Sequence, residues 1–384
     1  MLDLRPQKME RTPEEMLRHL KGSKLKPRFS IGVWYFYPGG GRFHDAYIEK
    51  GTISDCIEKI KEMKDEGIVD SSLGVEAHYP NEVNRENIHF YKALEKETGI
   101  RLITCIPMLF FDRQFEFGSL SNPDAQVRKA ATDRLKESLR LNKELNTNVC
   151  VIWPGIDGYE NPLGHDYYGM WNRFEGAVAE AMDEVPGMRV AMEPKPYEPR
   201  GNNIYRNTAN GLLFARNVEA LLRHQENLKL LKDGHAMVGL NPEVGHVLMG
   251  HEDLPGAFAS VLREGRLAHS HWNSQPLGNY DQDLNAGVLG IDQMLAALLV
   301  FKMYNYSGFY GIDINPERMP VEKAIVLNMN ALNAGAEVVN SLDYDDLVEA
   351  MYDPAGHRGV VEETLTKAWA PKSINLKKMP RSTT

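Results

Sequence analysis

The groups able to do chemistry are carboxylates, imidazoles and one lysine, gathered in a few short segments. "MEPKPYEPRG" (192–201) sets Glu193 and Lys195 among three prolines. Proline fixes φ and removes an N–H donor, so this stretch is neither helix interior nor central strand but extended and rigid. Alternate residues of an extended chain share a face, so Glu193 and Lys195 point the same way. "NPEVGH" (241–246) supplies Glu243 and His246, and "YDQDL" (280–284) supplies Asp281 and Asp283. His271 and Asn273 close "RLAHSHWN" (266–273), Asp313 lies in "GFYGIDIN" (308–315), and His78 lies in "SSLGVEAHYP" (71–80). Five carboxylates, Glu193, Glu243, Asp281, Asp283 and Asp313, cannot share a small site without cations, because like charges repel strongly in low dielectric. Two divalent ions with Lys195 would balance them. Oxygen-rich ligation favours Mg²⁺ or Mn²⁺, and the imidazoles of His246 and His271 shift the preference toward Mn²⁺ or Co²⁺. Glu243 can bridge two ions while His246 binds one. Asp281 and Asp283 are two apart, so both can face the same ion.

These segments need a scaffold that brings them together. Short apolar runs alternate with amphipathic ones along the chain. "FSIGVWYF" (29–36) precedes "TISDCIEKIKEMKDEG" (52–67), where Ile53, Ile57, Ile60 and Met63 recur at helical spacing. The same strand-then-helix order follows from runs at 71–80, 101–110, 147–153, 187–194, 235–243, 266–273 and 308–315. Eight such units imply a parallel sheet with right-handed crossovers, closed into a (β/α)8 TIM barrel. An open doubly wound sheet is the alternative, but no G-x-G-x-x-G follows the first strand. In a barrel of this kind the active site lies at the C-terminal strand ends, and that is where the polar residues fall. The expected organisation is an N-terminal arm (1–28), a barrel (29–340) and a C-terminal extension (341–384) with no obvious packed pattern after Leu347. The extension either docks on a partner subunit or is mobile.

Composition narrows the class. A formal charge of −9 argues against nucleic acid as the main partner. No apolar run approaches the roughly 20 residues that span a membrane. The polar N-terminus does not read as a signal peptide, so the expected compartment is the cytoplasm. Cys56, Cys105 and Cys150 are far apart and are expected as free buried thiols.

"EPKPYEPRG", "NPEVGH" and "YDQDL", followed by a lone aspartate at the eighth strand, resemble the signature segments of the xylose isomerase family. The resemblance runs from about residue 29 to about residue 320 and includes "RFHDA" (42–46) and "CVIWPGIDGYE" (150–160). It implies a metal-dependent aldose–ketose isomerase acting on a monosaccharide, with hydrogen moved between C1 and C2. Glu193, Glu243 and Asp313 would hold a structural ion. Glu243 would bridge to a second ion held by His246, Asp281 and Asp283. Lys195, His78 and Asp283 would be the catalytic groups, Lys195 at the carbonyl oxygen and His78 at ring opening. Trp34, Trp153 and Asn273 would contact the sugar, and Phe43 would reach in from a neighbouring subunit of a homodimer or homotetramer.

The chain also departs from that pattern. His271 stands where xylose isomerases carry an aspartate ligand and where the related L-rhamnose isomerases look to carry a histidine. Asn81 stands where the aspartate orienting the ring-opening histidine is expected, and Asn315 where a lysine often follows the last ligand. These changes imply isomerase chemistry on a sugar that need not be D-xylose. The duller readings are a rim salt bridge from Lys195 to Glu198, a helix cap for His246, a satisfied core histidine for His271 and barrel packing for Trp34 and Trp153. Rival functions are a sugar epimerase, which would usually rely on one ion and two glutamates, a metal-dependent lyase or C-glycoside-cleaving enzyme, and a non-catalytic sugar-binding barrel. The "EPKP" lysine and the Asp281/Asp283 pair argue against the epimerase.

Overall fold

The described residues of the computed structural model are 4–6, 11–36, 51–315, 319–371 and 373–377. Phe43 lies outside them. Each apolar run of the barrel region contains a short strand: β1 (Phe29–Gly32), β2 (Gly74–Tyr79), β3 (Arg101–Pro107), β4 (Cys150–Ile152), β5 (Val190–Met192), β6 (Val238–Leu240), β7 (His271–Trp272) and β8 (Tyr310–Ile312). All pair in parallel. The ladders form one sheet of order β3-β2-β1-β8-β7 and a second of order β4-β5-β6.

Two seams close these sheets into a ring. At the first, single parallel bridges pair Leu240 with Leu267 and Glu243 with His271. At the second, Asn148 N–H donates to the Ile103 carbonyl at 2.9 Å and Val151 N–H to Thr104 Oγ1 at 3.0 Å. The register of β2 on β3 jumps from Val75↔Leu102 to Glu76↔Thr104, so Ile103 is an extra residue. That irregularity turns its carbonyl toward β4 and bends β3 around the corner. The spatial order is therefore β1 to β8 in sequence, a closed parallel barrel.

The helices cover the barrel because their apolar residues recur at helical spacing. α1 (Pro13–Gly22) lies before the first strand. α2 (Ile53–Asp65) starts at Thr52, which accepts from Asp55 N–H while the Asp55 carboxylate accepts from Thr52 N–H, a reciprocal cap. It buries Ile53, Ile57, Ile60 and Met63. α3 (Ile88–Thr98) ends at Gly99, whose φ of 79° suits glycine. α4 (Ala125–Glu144), α5 (Tyr167–Glu184), α6 (Thr208–Leu221), α7 (Gln225–Lys232), α8 (Val244–Met249), α9 (Leu254–Arg263), α10 (Ile291–Met303) and α11 (Val321–Asn340) follow. Among the described residues no helix is long and apolar enough to cross a membrane. The three cysteines are free and buried. Burial pushes the Cys56 and Cys150 thiols up to about 12, so they stay protonated.

The terminal segments pack on each other. α12 (Tyr344–Tyr352) lays Tyr344, Leu347 and Val348 against Leu20 of α1, and Tyr352 Oη donates to the Arg11 carbonyl at 2.7 Å. The apolar pattern of 341–384 was obscure in the sequence because it matches α1 and α10 rather than a strand. α13 (Val360–Trp369) leaves Val361, Leu365 and Trp369 exposed.

Asn142 of α4 ties that helix to the irregular strand. Its Oδ1 accepts from Cys105 N–H (2.8 Å), and its Nδ2 donates to the Cys105 carbonyl (2.7 Å). In Asn142→Ala the buried Cys105 N–H would lose its acceptor and the Ser138 carbonyl its Nδ2 donor (2.9 Å), while the Cys105 carbonyl would keep Ser138 Oγ at 2.7 Å. The expected loss is about 3 kcal/mol, read as a lower denaturation midpoint, with a change under 0.5 kcal/mol counting against this role.

Candidate active site

Residues from the C-terminal strand ends converge on one cavity of about 240 Å³. It is lined by Trp34, His78, Ile106, Phe110 and Trp153 on one side, and by Glu193, Lys195, Glu243, His246, His271, Asp281, Asp283 and Asp313 on the other. The segment after β5 reaches it as an extended chain. Glu193 N–H continues the ladder to the Ile152 carbonyl at 3.0 Å, and Lys195 N–H donates to the Tyr205 carbonyl at 3.0 Å. Glu193 and Lys195 therefore share the face expected of alternate residues.

Two groups of ligand atoms lie close together. Glu193, Glu243, His271 and Asp313 form one, and Glu243, His246 and Asp281 the other, with the atoms within each no more than 4.8 Å apart. Glu243 belongs to both. His271 Nδ1 is 3.1 Å from Glu193 Oε2 and 3.0 Å from Asp313 Oδ2. His246 Nε2 is 3.1 Å from Asp281 Oδ2, while its Nδ1 lies 3.2 Å from Glu243 Oε2 without an aligned hydrogen bond. Asp281 Oδ1 is likewise buried without a hydrogen-bond partner. A buried polar atom without a partner is costly, and here two such atoms sit in an oxygen- and imidazole-rich set that suits a hard to borderline divalent cation. The residues present fit the pair of ions that the acidic clustering calls for.

The electrostatics agree. Burial, then the neighbouring charges of Asp281 and Asp313 among others, push Glu243 and Asp283 well above the usual carboxylate range. Burial opposes the charged form of His271, but Glu76, Glu193 and Asp313 raise it well above the ordinary imidazole value. Without ions, protons carry part of the positive charge this cluster needs. Burial also opposes the Lys195 ammonium, yet Asp281 (2.8 Å) and Glu198 (3.5 Å) hold its pKa up at about 12.

Of the expected site residues, those forming the cavity include both tryptophans, His78, Lys195 and all of the acidic and imidazole groups. Asn273 is engaged elsewhere. Its Nδ2 donates to Glu243 Oε1 (2.7 Å) and its Oδ1 accepts from Gly245 N–H (2.8 Å), so it braces Glu243. A Cβ on Gly245 would come within 2.9 Å of Glu243 Oε1 and 3.0 Å of Asn273 Oδ1, so glycine keeps that bracket close. Asn315 donates its N–H to the Asp283 carbonyl at 2.9 Å.

Other residues of the site were not singled out in the sequence. Glu82 accepts from both the N–H of His78 (2.7 Å) and its Nδ1 (3.0 Å). The orienting carboxylate is thus one position beyond Asn81. Burial opposes the imidazolium, but the Glu82 charge raises His78 above its ordinary value. Phe110 links the aromatic wall, its ring centroid 4.6 Å from that of Trp153 and 6.0 Å from that of His78. Asn241 donates to Glu193 Oε2 at 2.7 Å. Glu76 and His269 lie buried behind His271. An acidic residue inside an apolar strand, "GVEAH", was the available signal for Glu76.

The chain is similar to known proteins in sequence and in fold. Residues 71–334 match the xylose isomerase-like TIM barrel family. The chain is 30% identical over 295 residues to a xylose isomerase of Thermus thermophilus, covering 75% of this chain and 72% of that one. Against a xylose isomerase of Thermus caldophilus it is 31% identical over 297 residues, with the same shares covered. Among solved structures, an L-ribulose 3-epimerase superposes with a TM-score of 0.58 at 13% identity, over 82% of this chain and 96% of that one. A D-psicose 3-epimerase does so with a TM-score of 0.54 at 18% identity, over 82% and 100%. At such identity these structures speak for the fold alone. With the closed eightfold barrel and the acidic cluster at its strand ends in place, the sequence match assigns the chain to the xylose isomerase-like TIM barrel family.

Proposed function

We propose that this chain is a metal-dependent aldose–ketose isomerase acting on a neutral monosaccharide. The observation that supports this most directly is the double ligand set sharing Glu243, with buried, unpartnered atoms on His246 and Asp281. One divalent ion (Mn²⁺, Mg²⁺ or Co²⁺) would be held by Glu193, Glu243, His271 and Asp313, and a second by Glu243, His246, Asp281 and Asp283. When bound, the ions would supply Lewis-acid polarisation of the sugar oxygens.

The chain's own groups do the rest. Lys195, the one lysine or arginine among the described residues lining the cavity, donates to the sugar carbonyl oxygen and stabilises the charge that grows there during hydrogen transfer. Its distance from Glu193 is set by the prolines on either side of it. Among the described lining residues the one lysine or arginine already faces Asp281, which favours an uncharged sugar over a phosphorylated one. His78, turned by Glu82, exchanges the proton on the ring oxygen as the sugar opens. Trp34, Phe110 and Trp153 close the apolar side and exclude water, which would otherwise exchange the migrating hydrogen.

The deciding assay offers aldopentoses, aldohexoses and 6-deoxyaldoses to the chelator-stripped protein, with Mg²⁺, Mn²⁺ or Co²⁺ restored. Ketose formation that depends on the ion is expected for at least one sugar. Epimerised ketoses from ketose substrates, with no aldose–ketose exchange, would instead select the epimerase reading. Lys195→Met is expected to lower kcat by roughly 10²- to 10³-fold, and a loss under threefold would remove the electrophile from Lys195. Glu82→Gln is expected to lower the pKa of His78, because the carboxylate that favours the imidazolium is gone. Its rate on ring-closed sugar should fall about tenfold, less than the ~100-fold or more that general acid–base catalysis supplies in full. An unchanged His78 titration by NMR would show that Glu82 does not act through it.

A further inference from the structure

Glu76 is one of the most buried charges in the protein, 1% exposed in the middle of β2. A carboxylate in that position is costly unless it is fully hydrogen-bonded. Its partners include Ser30 Oγ at 2.7 Å, His269 Nε2 at 2.9 Å and His271 Nε2 at 3.1 Å. The cluster is packed hard against β8: a Cβ on Gly311 would stand 2.7 Å from His271 Cδ2, 2.8 Å from His269 Nε2 and 2.9 Å from Glu76 Oε1. Neither Glu76 nor His269 lines the cavity.

The His271 ring separates two carboxylate environments. Nδ1 faces Glu193 and Asp313 at 3.1 and 3.0 Å, and Nε2 faces Glu76. An imidazole that ligates through one nitrogen carries its proton on the other, and what accepts that proton fixes both tautomer and ring orientation. We propose that Glu76 is the positioning residue for His271: by accepting the Nε2–H from behind, it holds the ring with the Nδ1 lone pair turned to the Glu193–Glu243–Asp313 cluster. This rests on the metal-dependent reading above. His269 and Ser30 spend lone pairs of the same carboxylate and keep it from rotating. An ion bound among Glu76, His269 and His271 themselves is the competing use of these groups. It would have to break the hydrogen bonds to both imidazoles and would take Nε2 of His271 out of its supporting role.

The test is Co²⁺ titration of the chelator-stripped full chain, by calorimetry and by the visible absorption of the bound ion. Wild type is expected to bind two ions per chain. Glu76→Met should weaken one of them by about 10- to 100-fold and alter its absorption bands, leaving the other unchanged. Thermal unfolding without metal establishes that the variant folds. If it does not fold, Glu76→Gln reads the same quantity, with a severalfold weakening expected because the amide can accept from His271 without the negative charge. A folded variant that binds both ions with wild-type affinity and spectrum overturns the positioning role alone, as does a third ion in wild type that is lost in Glu76→Met. Wild type that binds no ion overturns the metal-dependent reading and this inference with it.

Discussion

Mutual repulsion among buried carboxylates governs the mouth of this barrel. Two unit charges 4 Å apart interact by about 4 kcal/mol at an effective dielectric of about 20, and several such pairs meet here. Glu243 lies among Asp281, Asp283, Asp313 and Glu193, and it is driven toward its protonated form in consequence. Every neighbouring device answers that repulsion. Lys195 sits on Asp281, His271 spans Glu193 and Asp313, and the amides of Asn241 and Asn273 donate to Glu193 and Glu243. The barrel is suited to the task because its strand ends fix side chains from distant parts of the chain on one rim.

The aromatic side of the cavity complements the charged side. Trp34 stacks obliquely on His78 with centroids 4.6 Å apart, and Phe110 meets Trp153 edge-on. These rings lower the local dielectric and strengthen every charge interaction opposite them. Lys195, with Nζ 5.2 Å from the Trp153 ring centroid, stands where the two halves meet.

Much of this was legible from the chain alone. The eight strand–helix units were visible because parallel strands are short apolar runs and the helices between them keep a 3.6-residue period. Glu193 and Lys195 could be placed on one face because the prolines leave the segment little choice but to be extended. Contacts that depend on the shape of the closed barrel were not legible. Glu76 meets His271 only because β1 and β8 lie between β2 and β7 in the ring, which brings the two inward-facing side chains across the lumen. Glu82 replaced the expected partner of His78 because the turn after β2 brings the fourth residue back, not the third. Asn273 looked like a sugar contact from its place at a strand end, but its amide satisfies Glu243. The tail was obscure because its apolar residues match α1, at the other end of the chain.

The seam between β6 and β7 has a thermodynamic consequence. Glu193, Glu243 and His246 belong to the side of the three-stranded sheet, and His271 and Asp313 to the five-stranded one. Any cation gripped by both groups is a suture across the seam. Its binding energy then adds to the closed ring and not to any partly opened form, so stability rises with the logarithm of free ion concentration. With the ions of the proposed function in place, the lifetime of the folded barrel would follow the ion supply: the same atoms that would set the chemistry would also make this protein's persistence a reporter of its ionic surroundings.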